Sequence, residues 1–217
     1  MKKSALFGLL VMANVMGVVT IDNVAAAEAG KKSNYAQIKL GMMQPTSGFN
    51  DAGYDTGIAT SIAYGRYLSN HLILEGAIDV SAANNDMKGA TAITGNYSQE
   101  NNLGVTALLL TMKEEFSFGR LNIYGGGGIG AYIVNLSSEI ETNRMGTYKM
   151  DDSDGVFGAH LVVGANYDIT ESIFMGIEGT CRWTGKASID KTAVGVPVAY
   201  NDNVNGYSIA ANLGFRF

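Results

Sequence analysis

The feature of this chain that most restricts its fold is a two-residue alternation of apolar and small or polar side chains. It is clearest in the last residues, GYSIAANLGFRF, where the apolar side chains recur at every second position. Successive side chains of a strand point to opposite faces, so this period predicts a strand with one apolar face. The same β-rich character recurs along the chain and divides residues 35–217 into eight candidate strands.

The connections between these segments alternate strictly between long and short. From the N-terminus they cover residues 45–53, 68–70, 83–100, 117–120, 137–153, 168–171 and 187–203. Barrels that cross an outer membrane have short turns on the periplasmic side and long loops on the extracellular side. The sequence therefore predicts an all-β fold, a transmembrane up-and-down antiparallel barrel of eight strands, over residues 35–217.

Aromatic residues fall toward both ends of the candidate strands, as in the two interfacial belts of a membrane barrel. The residues expected near the short turns are Tyr64, Tyr67, Phe116, Phe118, Tyr124, Tyr167, Phe174, Phe215 and Phe217. Those expected near the long loops are Tyr54, Tyr132, Phe157, Trp183 and Tyr207. A soluble barrel would have no physical reason for two such belts.

The N-terminus has the three parts of a secretory signal peptide. Lys2 and Lys3 precede an apolar run over residues 6–19, and Ala25 and Ala27 supply small residues for cleavage. We therefore predict a signal peptide at residues 1–27, a short segment at 28–34 and the barrel domain at 35–217. Cys181 is the single cysteine, so no intramolecular disulfide is expected. A net charge of -5 without a basic run gives no support for a nucleic-acid partner.

Two stretches, YSIAANLGFRF at the C-terminus and IYGGGGIGAY in the middle, resemble the small outer-membrane β-barrels of Gram-negative bacteria, the OmpA/OmpX-like superfamily. The resemblance implies a location in the outer membrane. It also implies that the last strand is an insertion signal for the barrel-assembly machinery, carried by Tyr207, Ile209, Leu213, Phe215 and Phe217. Because the last predicted strand reaches the final residue of the sequence, we expect no peptidoglycan-binding domain and no wall-anchoring role.

Charged residues on the inward face of the predicted strands are the main candidates for a functional site. By alternation they are Lys39, Glu75, Asp79, His160, Glu178, Arg182 and Arg216. Charges inside a membrane barrel must pair or contact water, because an unpaired buried charge is costly. We expect an ion-pair network in which Glu75, Asp79 and Glu178 face Lys39 and Arg182. Such a network could fill the lumen, or it could gate a narrow water path.

Two motifs that suggest enzymatic chemistry lack the context they need. His160 is expected opposite Thr180 with Glu178 nearby, but no serine lies beside it for a catalytic triad. Asp151 and Asp152 begin an acidic run, DDSDG, that lacks the rest of a calcium loop. We predict no catalytic residue, no metal site and no cofactor.

The run of four glycines at 125–128 formally satisfies the dinucleotide pattern G-x-G-x-x-G with Gly130. That motif requires a helix directly after the last glycine, whereas AYIV continues a strand. We expect Gly126 and Gly128 to leave luminal room for Glu75, Glu178 and Arg182. Gly125 and Gly127 are expected to face lipid.

The function favoured by the sequence is that of a small integral outer-membrane protein with a filled lumen, acting through its long extracellular loops. The expected partners are outer-membrane lipid, lipopolysaccharide, and host or cell-surface ligands. A narrow channel for small solutes is the alternative, and a lipid-modifying enzyme is a third hypothesis.

Overall fold

The computed structural model describes residues 32–46, 53–91, 95–143, 146–193 and 196–217, which contain ten β-strands. They are β1 (Asn34–Pro45), β2 (Gly57–Tyr67), β3 (Leu72–Thr91), β4 (Gly95–Phe118), β5 (Leu121–Thr142), β6 (Gly146–Asp168), β7 (Ile173–Thr184), β8 (Lys186–Ala193), β9 (Val196–Asn203) and β10 (Gly206–Arg216). The signal peptide predicted at residues 1–27 lies outside the described residues. A search of the described ranges finds no helix with the length and apolar character needed to span a membrane.

Eight of the strands form a closed antiparallel barrel in the order β1-β10-β7-β6-β5-β4-β3-β2. Each barrel strand pairs with the barrel strands before and after it in the chain, and β10 closes the ring by pairing with β1. At this seam the Asn34 amide donates to the Phe217 carbonyl at 3.1 Å, and the Phe217 amide donates to the Asn34 carbonyl at 2.9 Å. The predicted eight-stranded up-and-down barrel is therefore confirmed.

The two faces of the barrel wall have the opposite polarity to a soluble barrel. On β1, the outward side chains of Ile38 and Leu40 are 58% and 66% exposed, whereas inward Gln37 and Lys39 are 4% and 8% exposed. On this strand, apolar side chains thus face outward and polar side chains face the lumen. This arrangement suits a wall that contacts lipid.

The four strands β3 to β6 are about twice as long as the other barrel strands. They have 20, 24, 22 and 23 residues, against 11 or 12 in β1, β2, β7 and β10. Their extra length forms a four-stranded upper sheet at the end of the barrel where long loops were expected, made of residues 83–91, 95–103, 135–142 and 146–154.

The upper sheet corrects the prediction that residues 83–100 and 137–153 are loops. The β3–β4 pairing continues to Thr91 and Gly95, and the β5–β6 pairing continues to Thr142 and Gly146. These segments are rich in Asn, Ser and Asp, so they show no apolar alternation. Ladder hydrogen bonds form regardless of side-chain polarity, and strands outside lipid need no apolar face.

Residues 187–203, also predicted as a loop, largely form the hairpin of β8 and β9, a separate two-stranded sheet. Its base is tied to β6, because the Gly185 amide donates to the Phe157 carbonyl at 2.8 Å. The Ser188 amide also donates to Asp154 Oδ2 at 2.8 Å.

Candidate functional site

Four buried charges form a closed ring in the middle of the lumen. Lys39 Nζ lies 3.1 Å from Glu75 Oε1 and 2.6 Å from Glu178 Oε1. On the opposite side, Lys113 Nζ lies 2.8 Å from Glu75 Oε2 and 2.8 Å from Glu178 Oε2. We call Lys39, Glu75, Lys113 and Glu178 the ionic ring. Each cation contacts both anions. With two cations and two anions, the formal charges of the ring cancel.

Neutral side chains complete the coordination of the two carboxylates. Glu75 Oε2 accepts hydrogen bonds from the Tyr35 hydroxyl and, at 2.9 Å, from Gln37 Nε2. Glu178 Oε2 accepts one from the Tyr124 hydroxyl at 2.9 Å, and Lys113 Nζ lies 4.8 Å from the centre of the Tyr124 ring. Several partners per carboxylate reduce the cost of burying these charges.

The glycine run of β5 makes room for the side chains of β4 and β6. A Cβ on Gly126 would lie 2.9 Å from Lys113 Cα, and one on Gly128 would lie 2.8 Å from Thr111 Cα and 2.8 Å from His160 Cε1. The glycines do line the lumen, but the groups that they accommodate differ from the expected Glu75, Glu178 and Arg182.

The predicted luminal residues lie at different heights in the barrel. Lys39, Glu75 and Glu178 meet in the ionic ring, whereas Asp79 makes no ion pair within the described part of the chain. Arg182 donates from Nη1 to Ser81 Oγ at 3.3 Å and from Nε to the Val204 carbonyl at 3.2 Å.

Strand geometry explains this separation. Asp79 follows Glu75, and Arg182 follows Glu178, by four residues on the same strand. At about 3.3 Å per residue, each pair is separated by roughly 13 Å along its strand. Alternation identifies the face on which a residue lies, but it does not give its height.

His160 is also placed by a register that differs from the expected one. It pairs with Arg182, and Thr180 pairs with Val162 instead. The turn before β7 is longer than anticipated, because the Ile169 amide donates to the Ile173 carbonyl and pairing begins at Asp168 and Phe174. His160 Nε2 lies 2.8 Å from Thr111 Oγ1, and the side chain is 1% exposed.

Sequence reasoning missed Lys113, Tyr35 and Tyr124 as members of this site. Lys113 lies on β4, where Leu108, Leu109 and Leu110 obscure the alternation. The available signal was its spacing of two from Thr111, which shares its inward face. The sequence predicts Tyr124 in an aromatic belt, but its side chain is 3% exposed and faces the ionic ring.

Five of the aromatic residues predicted for the two interfacial belts face the lumen instead of lipid. They are Tyr54, Tyr67, Tyr124, Tyr132 and Phe174. Outward-facing Phe118 and Tyr167 at one end, and Phe157 and Trp183 at the other, are 49–75% exposed. The two belts therefore exist with fewer members, because period-two parity decides between lumen and lipid.

Above the ionic ring, the lumen is filled by an apolar cap. The buried residues of the cap are Met43, Tyr54, Ala83, Leu103, Val105, Ala107, Tyr132, Val134, Leu136, Val156, Ala187 and Val204. They come from the barrel wall, from the connection before β2 and from the base of the β8–β9 hairpin. Three residues of the cap, Met43, Ala107 and Tyr132, line a cavity of about 20 Å³ together with Asp79 and Arg182. This volume has room for about one water molecule.

Below the ionic ring, an aromatic base closes the lumen at the end that has the short turns. It consists of Tyr35, Ile73 and Phe174, with Tyr67 packed against them. The Tyr35 and Phe174 rings meet edge to face with centroids 5.7 Å apart. Arg216, predicted to face inward, lies 4.6 Å from the Phe174 ring and pairs with Asp168 Oδ1 at 2.5 Å.

The residues expected to carry the insertion signal lie on the outward face of the barrel. Tyr207, Ile209, Leu213, Phe215 and Phe217 are 48–62% exposed. Their recognition by the assembly machinery stays a prediction. Among the described residues, no group of three or more His, Cys, Asp or Glu side chains is arranged to hold a metal ion.

Comparisons with known proteins agree with the barrel. Neisserial surface protein A has 16% identity and a TM-score of 0.51, covering 85% of this chain and 97% of its own. The outer membrane protein OprG from Pseudomonas aeruginosa has 13% identity and a TM-score of 0.55, covering 87% and 98%. A major outer membrane protein from Thermus thermophilus has 10% identity and a TM-score of 0.55, covering 85% and 100%. At these identities the likeness is one of fold.

A comparison with curated proteins finds no match in sequence. The sequence model of the family described as outer membrane protein beta-barrel domain matches residues 14–217, which is nearly the whole chain. The chain therefore belongs to the outer-membrane β-barrel family of Gram-negative bacteria.

Proposed function

We propose that this protein is a non-conducting outer-membrane barrel that acts through its upper sheet, by contact with surface ligands. The observation that carries the proposal is that the lumen is occupied at three successive heights. The apolar cap, the ionic ring and the aromatic base each contain side chains from several strands. Eight strands enclose an interior that side chains can fill, so no wide channel is expected.

The main alternative is a narrow channel gated by the ionic ring. Opening such a path would require the ring, the cap and the base to rearrange together. A ring whose two cations each contact both anions has no unpaired member poised to move. These contacts favour a structural role for the ring over gating.

Conductance in planar bilayers tests the closed lumen. We expect no stepwise current from the purified protein, and none from Glu178→Ala or Arg182→Ala, because the cap and the base remain in place. A trimeric porin reconstituted in the same way provides the positive control. Discrete current steps from the wild-type protein that change in size with Glu178→Ala would overturn the proposal in favour of a gated channel.

The role of the upper sheet can be tested by shortening it in register. Residues 87–99 can be replaced by Asn-Gly between Asp86 and Glu100, which are paired on β3 and β4. We expect this barrel to assemble, as judged by heat-dependent gel mobility, and cells that display it to lose attachment to epithelial cells. Unchanged attachment of cells displaying a comparable amount of the shortened protein would contradict the surface role.

The proposal includes no enzymatic activity. The imidazole of His160 faces Thr111 within the lumen, away from lipid substrates on the outside of the wall. We expect lipid A from cells with and without the protein to give the same mass spectrum. A protein-dependent mass change that His160→Ala abolishes would establish a lipid-modifying function instead.

A further inference from the structure

Two opposite charges lie on the outward face of the barrel wall, at the end that has the short turns. Arg66 follows the outward Tyr64 by two residues on β2. Glu114 precedes the outward Phe116 by two residues on β4. Within the described ranges of the chain, neither charged side chain makes an ion pair or a hydrogen bond. A charge on this face is costly away from the membrane interface, so both groups favour a partner from outside the chain.

The strand register places both charges level with the turn between β2 and β3. Arg66 pairs with Leu74, and Glu114 pairs with Leu72, the first residue of β3. Two strand spacings of about 4.8 Å, with an offset of two residues of about 3.3 Å each, put the two Cα atoms roughly 12 Å apart. The charged side chains therefore stand on either side of β3, with the two leucines between them.

An apolar groove begins next to the two charges and runs away from the turn. Along the outward face of β3, Leu72 and Leu74 are followed by Gly76, where an added Cβ would meet no atom within 4 Å. Gly76 pairs with Tyr64 on β2 and with Leu110 on β4, and both of these side chains are exposed on the same face. A position without a side chain between two large ones leaves a groove that is one strand wide.

The cation, the anion and the groove match the three parts of an aminophospholipid. A guanidinium group binds phosphate oxygens through several N–H donors, and a carboxylate accepts hydrogen bonds from a primary ammonium group. In phosphatidylethanolamine a two-carbon link joins the phosphate to the ammonium, and the acyl chains leave from the phosphate side. A purely anionic headgroup would place a like charge near Glu114. A trimethylammonium headgroup has no N–H group to donate to that carboxylate.

We infer that this face binds one phosphatidylethanolamine molecule, with its phosphate at Arg66, its ammonium at Glu114 and an acyl chain over Gly76. Tyr64 and Phe116 belong to the aromatic belt at this end, and such belts lie at the level of the lipid headgroups. Short turns face the periplasm in outer-membrane barrels, so the lipid comes from the periplasmic leaflet. The inference is independent of the proposed surface function, because the upper sheet lies at the other end of the barrel.

Native mass spectrometry of the full barrel, released from uncharged detergent micelles with added lipid, tests this inference. The probes are phosphatidylethanolamine, phosphatidylcholine and phosphatidylglycerol with identical acyl chains. We expect phosphatidylethanolamine to bind about fivefold more tightly than the other two lipids, which is the effect of one exposed ion pair. Glu114→Gln should remove this preference. Arg66→Gln should weaken the binding of all three lipids, because each of them has a phosphate.

Arg120→Gln and Glu171→Gln are the matched controls, because each removes an exposed charge from another short turn. We expect both to leave the lipid preference unchanged. Gly76→Leu retains both charges but fills the groove, so it should weaken all three lipids and keep the preference. Heat-dependent gel mobility verifies that each variant has assembled. The inference is overturned if the three lipids bind equally, if phosphatidylglycerol binds most tightly, or if Arg66→Gln and Glu114→Gln have no effect.

Discussion

Lys113→Met should lower the free energy of unfolding of the barrel by about 3–5 kcal/mol, because it leaves two buried carboxylates with one cation. Glu75 and Glu178 are each 2.8 Å from Lys113 Nζ, and both would lose this contact. The measurement is urea unfolding of the protein in lipid vesicles. Trp183, the single tryptophan, lies on the outward face and its fluorescence reports departure from lipid.

Two further variants separate charge balance from packing in the ionic ring. Lys113→Met with Glu178→Gln restores neutrality, so we expect the double variant to recover part of the lost stability. Asp79→Asn is the control for removing a luminal charge outside the ring, and we expect it to be neutral or slightly stabilising. A loss below about 1 kcal/mol for Lys113→Met, the range of exposed pairs, would show that the ring does not hold the barrel together.

Gly128→Ala should destabilise the barrel by at least about 1–3 kcal/mol, the usual cost of overpacking, and reduce its assembly. The added methyl group would lie 2.8 Å from Thr111 Cα and would also overlap the Leu110 carbonyl, neither of which can move without distorting β4. The measurement is the fraction of protein with the folded, heat-dependent gel mobility, together with urea unfolding of the folded fraction.

The glycine run offers its own control at Gly125. A Cβ there would have its nearest contact, the Val162 carbonyl oxygen, at 3.9 Å. We expect Gly125→Ala to assemble like the wild type, although it lies on the same strand as Gly128. Equal effects of the two substitutions would indicate that the run provides backbone flexibility rather than luminal space.

The barrel could be predicted from the sequence because lipid enforces a strict alternation where the wall crosses it. Residues such as Ile38 and Leu40 must be apolar, and their neighbours face the lumen. The upper sheet could not be predicted, because strands outside lipid can have polar residues on both faces. Alternation also failed on β4, where Leu109 faces the lumen beside the apolar cap. Where the lumen and the exterior are both apolar, hydropathy does not distinguish the two faces of a strand. The inward position of Lys113 on β4 could therefore not be predicted.

The ionic ring could be predicted only in part, because alternation gives the face on which a residue lies but not its height along the barrel. Lys39, Glu75 and Glu178 were placed on the correct face by parity. Their common height depends on the stagger between strands, which is set by turn lengths such as the one at 169–173. Whether Arg182 lies level with the carboxylates that it was expected to face also depends on that stagger. Its actual partners, Ser81 and the Val204 carbonyl, lie at the level of the apolar cap.

The pairing of β1 with β10 has a consequence for the order of folding. The two strands that close the wall are the first and last of the barrel, so closure joins residues separated by nearly the whole domain. Contacts between such distant segments are slow to form, because the intervening chain must first be ordered. Lys39 is supplied by β1 and Glu178 by β7, which meet through β10. A chain in which β10 has not yet paired would therefore have both charges but no closed wall to bring them together, so the ionic ring can be completed only in the last step of barrel closure.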